Sequence, residues 1–178
     1  MALPDYIEVT QGTAIIWGEA GATGPTVTNT LSLDALANGA ARMGASADLG
    51  AEFDDEYLVF MQVETGTAPT AGNTVELYLV STWDTSYWPA KVTGSDASYT
   101  LGTSDANLRQ AGAPVLSLIA TNDGNTTLSQ APVIWRPRGR YVVPIVDNNL
   151  GQAFRDETTA SDNNSRVILV PRRTVVLE

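Results

Sequence analysis

Tyr57-Leu58-Val59-Phe60-Met61-Gln62-Val63-Glu64, followed after a loop by Thr74-Val75-Glu76-Leu77-Tyr78-Leu79-Val80, decides the fold of this chain. In the first run Tyr57, Val59, Met61 and Val63 share one face, and the other face ends polar at Gln62 and Glu64. In the second run Val75, Leu77 and Leu79 share a face. Successive side chains leave a strand on opposite sides, so a period of two is the mark of a half-buried antiparallel strand. Between the runs, Gly66-Thr67-Ala68-Pro69-Thr70-Ala71-Gly72-Asn73 is turn chemistry. The segment predicts a strand–loop–strand ribbon, with Val59 and Met61 in the same layer as Leu77, and an all-β protein.

Outward from this ribbon, Thr13–Trp17 and Thr26–Leu31 also read as strands. Ser32 to Asn38 predicts one or two helical turns, with Ser32 as N-cap and Gly39 closing them. Ala41 to Leu49 alternates again and predicts one strand. Thr82 to Gly112 predicts an irregular surface loop with a short extended piece at Ser98–Leu101. Strands resume at Val115–Ala120, Leu128–Trp135, Tyr141–Val146, Val167–Val170 and Thr174–Leu177. Asn122-Asp123-Gly124-Asn125 and Pro137-Arg138-Gly139 are the turns between them. About ten short strands without a βαβ rhythm predict an antiparallel β-sandwich of jelly-roll type, one domain over residues 1–178.

The 178 residues suffice for a two-layer core, and an apolar fraction of 43% argues against disorder. Zero cysteines exclude disulfides and thiolate metal sites. Residues 1–25 hold no Lys or Arg, and Ile15-Ile16-Trp17 is too short for a signal core or a membrane span. The expectation is a chain not exported by a cleaved signal and without a membrane partner. The net charge of −10 is uneven: residues 1–89 carry twelve acids and one base, residues 90–178 nine bases and eight acids. Such an acidic surface repels phosphate backbones, which predicts no nucleic-acid partner. The asymmetry either keeps the chain soluble or sets an acidic face of one copy against an arginine-bearing face of a neighbour.

Several segments carry a further signal. Ser32-Leu33-Asp34-Ala35-Leu36-Ala37 precedes Arg42 and Asp48-Leu49-Gly50. The Tyr57–Val63 run follows, and Ala68-Pro69-Thr70-Ala71-Gly72 leads into Val75-Glu76-Leu77-Tyr78. Arg140-Tyr141-Val142-Val143-Pro144-Ile145-Val146-Asp147-Asn148 adds a late strand. This set resembles small virion structural proteins of tailed bacteriophages. The resemblance implies a non-enzymatic head-decoration (cement) protein or a minor head or tail component. It further implies a virion location, with assembly in the host bacterial cytoplasm. Its partners would be capsid or tail subunits and further copies of itself. No catalytic residue and no cofactor come with it.

Histidine is absent, which excludes Ser-His-Asp and Cys-His machinery and every His-based metal site. A carboxylate pair is what remains for an enzyme, and Asp54-Asp55-Glu56, just before a strand, reads instead as a solvated turn. Trp83-Asp84-Thr85-Ser86-Tyr87-Trp88-Pro89 is the richest candidate contact. Trp83, Tyr87 and Trp88 suit a sugar-stacking platform of a carbohydrate-binding module or adhesin, a protein interface, or a plug on the sandwich end. Arg136, Arg138 and Arg140 surround the Pro137–Gly139 turn and predict a hairpin tip whose guanidinium forks dock on carboxylates or stay solvated. Arg172-Arg173, beside Pro171 between the last two strands, can reinforce that patch. Asp147-Asn148-Asn149 and Ser161-Asp162-Asn163-Asn164-Ser165 are oxygen-rich but lack the calcium-loop spacing, so they read as turns and no metal is expected.

Overall fold

Both runs that decide the fold are long strands, β6 (Glu56–Glu64) and β7 (Thr74–Thr82), in a computed structural model describing residues 6–19, 24–101, 108, 111–121, 124, 126–156 and 164–177. Their inner faces are as the alternation requires: Tyr57, Val59, Met61, Val63, Val75, Leu77 and Leu79 are all buried. The ribbon itself is corrected. β6 and β7 lie in different sheets and do not pair. Both edges of each strand are taken by other partners, so the loop between them crosses the core instead of closing a hairpin. It is anchored there by Thr70 N–H to the Leu150 carbonyl and Gly72 N–H to the Ala120 carbonyl. Val59 and Met61 therefore belong to the layer opposite Leu77 and Leu79, in the same core.

The first, seven-stranded sheet has β6 and β13 (Arg166–Leu177) at its centre. β10 (Thr127–Ser129) and β11 (Val133–Trp135) share the far edge of β6. β1 (Tyr6–Gln11) and β2 (Ile15–Gly18) share the far edge of β13, and β3 (Asn29–Thr30) closes the sheet on β2. The second, six-stranded sheet has β12 (Tyr141–Asn149) and β7 at its centre. β4 (Ala40–Met43) and β5 (Ala47–Asp48) share the far edge of β12, and β9 (Leu116–Ile119) lies beyond β7. β8 (Ala97–Tyr99) pairs with β4. The two sheets face one another over one apolar core, an all-β sandwich.

Residues 83–87 are exposed as expected of a surface loop, but residues 88–101 are not a solvated loop. With Leu108 they cover the outer face of the second sheet, where Ala90, Val92, Tyr99 and Leu108 join Tyr78, Val80, Val143 and Ile145 in a second core. β12 is accordingly buried on both faces, which is why its sequence runs Val-Val-Pro-Ile-Val without alternation. Arg42 grips Asp96 through Nε and Nη2, both at 2.8 Å, and ties this cover to β4.

Other expectations also shift. Ser32 to Asn38 forms isolated turns rather than a helix, because Leu31 and Leu33, two residues apart, are both fully buried and hold the chain extended. Ala41–Leu49 splits into β4 and β5 at Gly44, which sits so close to Trp17 and Pro144 that a Cβ would meet both at about 3 Å. Leu128–Trp135 splits into β10 and β11. The last two predicted strands are one, running through Pro171. A residue's N–H and C=O project to the same strand edge, and the Pro171 carbonyl accepts from Gly12 N–H. The missing Pro171 N–H therefore falls in the gap between β1 and β2, where it breaks no ladder bond. Asn122, Asp123 and Asn125 of the first predicted turn lie outside the described residues, as do Ser161, Asp162 and Asn163.

Candidate functional site

The Pro137–Gly139 turn does not close a hairpin. Trp135 pairs with Tyr57 in the first sheet, while Tyr141 pairs with Thr82 and Asp48 in the second. The turn is thus a bridge between sheets over one end of the sandwich, and Arg136, Arg138 and Arg140 are distributed along it. Gly139 is wedged against the Thr82 carbonyl group, a fit open only to a residue without Cβ. Arg138 N–H donates to Ser81 Oγ at 3.1 Å, and its side chain is exposed.

The other two arginines meet carboxylates of their own chain. Arg140 forks onto Asp48 at 2.7 and 2.6 Å and lies over the Tyr141 ring at 5.2 Å. This fork holds the Asp48 carboxyl below the ordinary carboxylate value. Arg136 puts Nη2 2.6 Å and Nε 3.2 Å from Glu56 Oε1, and Arg172 reaches Glu56 Oε2 at 3.4 Å. The Arg136 hydrogen bond is the leading reason that the Glu56 carboxyl also lies low. Arg173 Nε reaches Asp54 Oδ1 at 2.7 Å. Arg155 adds a pair to the buried Glu64 at 2.8 Å elsewhere. Four acids of the first half, Asp48, Asp54, Glu56 and Glu64, thus meet arginines of the second half within one fold.

Phe53, Asp54, Asp55, Glu56, Arg136, Pro137, Arg172 and Arg173 line an open groove of about 680 Å³ at this end. Trp83 packs on Phe53 with ring centroids 5.2 Å apart and planes at 51°. Trp83 and Tyr87 are 67% and 73% exposed, the most exposed large apolar side chains among the described residues. Their loop is held by Thr82 Oγ1 donating to the Tyr87 carbonyl and by Ser86 N–H donating to Asp84 Oδ1. Trp88 departs from the expected aromatic cluster: it is half-buried and packs against the second core, with its indole nitrogen beside Gly94. Its role is to seat the cover layer.

Trp83, Tyr87, Arg136, Arg138 and Arg140 are therefore brought to one end, because β7 ends and β12 begins there as neighbours and β11 ends there on β6. Phe53 and the ion-pair partners of the arginines had no periodic signal to mark them. Of the carboxylate run, Asp54 and Glu56 are engaged by arginines. The oxygen-rich Asp147–Asn149 segment is not a turn but the end of β12, and its amides tie that end to neighbouring groups: Asn148 Nδ2 donates to the Leu36 and Gln152 carbonyls, and Asn149 Nδ2 to Asp147 Oδ2. Among the described residues no group of three or more acidic, Cys or His side chains is placed to hold a metal. No protein-family model, no curated protein and no solved structure matches the chain.

Proposed function

We propose that this chain is a non-enzymatic structural protein of a tailed-bacteriophage particle, a capsid decoration protein or a minor head or tail component, that binds neighbouring subunits through the Trp83–Arg136 end of its sandwich. The observation that carries the contact is the convergence of exposed Trp83, Tyr87, Arg136 and Arg138 on one end. Trp, Tyr and Arg are the residue types that dominate binding energy at protein interfaces. Since Arg136 and Arg140 are already paired within the chain, the aromatic side chains lead this contact and charge selects its register.

The order of strands supports a jelly-roll reading of the sandwich. Counting β1/β2, β4/β5 and β10/β11 as single strands and leaving aside the short β3 and β8, successive strands fall in the first, second, first, second, second, first, second and first sheets. Two interleaved Greek keys give this alternation, and viral capsid domains are among the proteins built on it. The link from that architecture to a virion is an analogy of fold. Mass spectrometry of purified particles made by the phage that encodes the chain tests the role. The chain should be present in fixed proportion to a shell or tail subunit, and its absence from particles overturns the proposal. Occupancy should fall for the double variant Trp83→Ala, Tyr87→Ala with no loss of thermal stability.

A further inference from the structure

We infer that the groove lined by Phe53, Glu56 and Arg136, next to Trp83, is a binding site for a neutral saccharide. The inference stands independently of a virion role. The groove of about 680 Å³ lies within the range of ligand pockets, about 300–1,000 Å³. Phe53 lines it, and Trp83, 67% exposed, packs on Phe53 with ring centroids 5.2 Å apart, which extends the aromatic surface beyond the lining. An exposed indole offers a flat apolar face to the C–H face of a hexose ring and a polar tip for its hydroxyls.

The rest of the lining selects among ligands by charge. It holds three acids and three arginines, so the groove is electrically balanced. Arg136 and Arg172 share Glu56, and Arg173 holds Asp54. The balanced lining has no net charge to draw in an anion or a cation, and a charged ligand that takes an arginine off its carboxylate, or a carboxylate off its arginine, breaks an existing pair. Either leaves a charged group without its partner, which offsets the new contact. A neutral polyol needs no such exchange. Carboxylate oxygens keep lone pairs beyond those used by one guanidinium, and each guanidinium has five N–H donors, so hydroxyls can bridge the existing pairs. The ion pairs also fix these groups in place before binding, which lowers the ordering cost.

An immobilised array of glucose-, galactose- and mannose-based oligosaccharides, printed beside uronate-bearing and sulfated counterparts, tests this with the whole chain. Binding to neutral members is expected, and titration of the best of them should quench Trp fluorescence. Trp83→Ala should weaken that binding by about tenfold or more, the loss of roughly one stacking contact. Glu56→Gln, which keeps the size of the side chain but loosens Arg136, should weaken it too, with thermal melts confirming that both variants fold. A blank array, a preference for the charged members, or equal binding by folded Trp83→Ala overturns the inference. A protein partner lost on Trp83→Ala together with a blank array also overturns it and assigns the end to protein contact alone.

Discussion

Arg42 and Asp96, 54 residues apart in sequence, meet in a two-point fork with both N···O distances at 2.8 Å. The Asp96 carboxylate also accepts from Ser32 N–H at 3.2 Å and Ser32 Oγ at 2.6 Å. Three segments are thereby joined: the stretch entering β4, β4 itself, and the cover layer just before β8. The two side chains keep only 25% and 14% of their surface exposed, so water competes weakly for them. Asp96→Asn should destabilise the protein by roughly 1–3 kcal/mol, less than the 3–5 of a fully buried broken pair. Hydrogen exchange should quicken first at Ala97–Tyr99, with β6 and β13 unaffected. Uniform acceleration across both sheets would show that the cover and the sandwich open as one unit.

The same carboxylate makes stability depend on pH. Burial alone would push the Asp96 carboxyl up, but the hydrogen bonds from Arg42 and Ser32 outweigh it and hold the group below its ordinary 3.8. A carboxyl lowered by folding contributes stability that is complete above its unfolded value and is lost as pH falls through the folded one. The melting temperature should be level from neutrality toward the ordinary carboxylate range and drop below it. Asp48 and Glu56, also held low by arginines, act in the same direction. In Asp96→Asn the acid drop should be shallower than in the wild type, and an identical drop would assign the effect to other carboxylates.

Period-two alternation made the faces of β6 and β7 legible in the sequence, since Val59, Met61, Val75 and Leu77 leave no ambiguity about which side is apolar. Alternation says nothing about which edge pairs with which, so it cannot distinguish one ribbon from two strands facing each other across the core, as β6 and β7 do. The second core did have a signal. Val142-Val143-Pro144-Ile145-Val146 has no polar face, as a strand covered on both sides requires. At Ser32–Asn38 the capping chemistry pointed to a helix, but burying both Leu31 and Leu33 outweighed a weak local preference. Trp83 and Arg136 stood out by residue type alone. Their placement at one end depends on β11 pairing with β6 and β12 with β7, long-range pairings that no local pattern encodes.

Gly139 is required where the inter-sheet bridge crosses the end of β7. A Cβ at this position would lie 2.6 Å from the Thr82 carbonyl oxygen, and that oxygen belongs to backbone that cannot swing aside. Gly139→Ala should destabilise by about 1–3 kcal/mol, the usual range for overpacking. At this chain length each kcal/mol lowers the melting temperature by about 2–4 °C. Gly66→Ala, where nothing lies within 4 Å, is the matched control and should be near neutral. Equal melts for the two variants would refute the tight crossing.

Arg138→Ala should leave stability within about 0.5 kcal/mol of the wild type, because the contact it makes to Ser81 is through backbone N–H. If the chain associates with itself or with a particle through this end, Arg138→Ala should mainly change the salt dependence of binding. Trp83→Ala should weaken binding at all salt concentrations. Sedimentation at low and high salt separates the two effects. Association that vanishes at high salt in the wild type would identify charge, rather than the aromatic pair, as the principal contact.

Leu77 tests the core that both sheets share. It is fully buried near the centre of β7, in the core cluster it shares with Val59 and Met61 of the opposite layer. Leu77→Ala removes that contact area and leaves a cavity, which should cost roughly 2–5 kcal/mol. Set against a typical total of about 5–15 kcal/mol, the loss is large enough to unfold part of the population at physiological temperature. The connecting loop divides by burial. Ala68 is exposed and should accept Ser at little cost, while Pro69 is buried and Gly72 has a φ of +84°, so both should be sensitive. Thermal melts ordering the variants Leu77→Ala, Gly72→Ala and Ala68→Ser from most to least destabilised would match a loop anchored across the core. A silent Leu77→Ala would contradict the inward face of β7, and with it the packing of one sheet on the other.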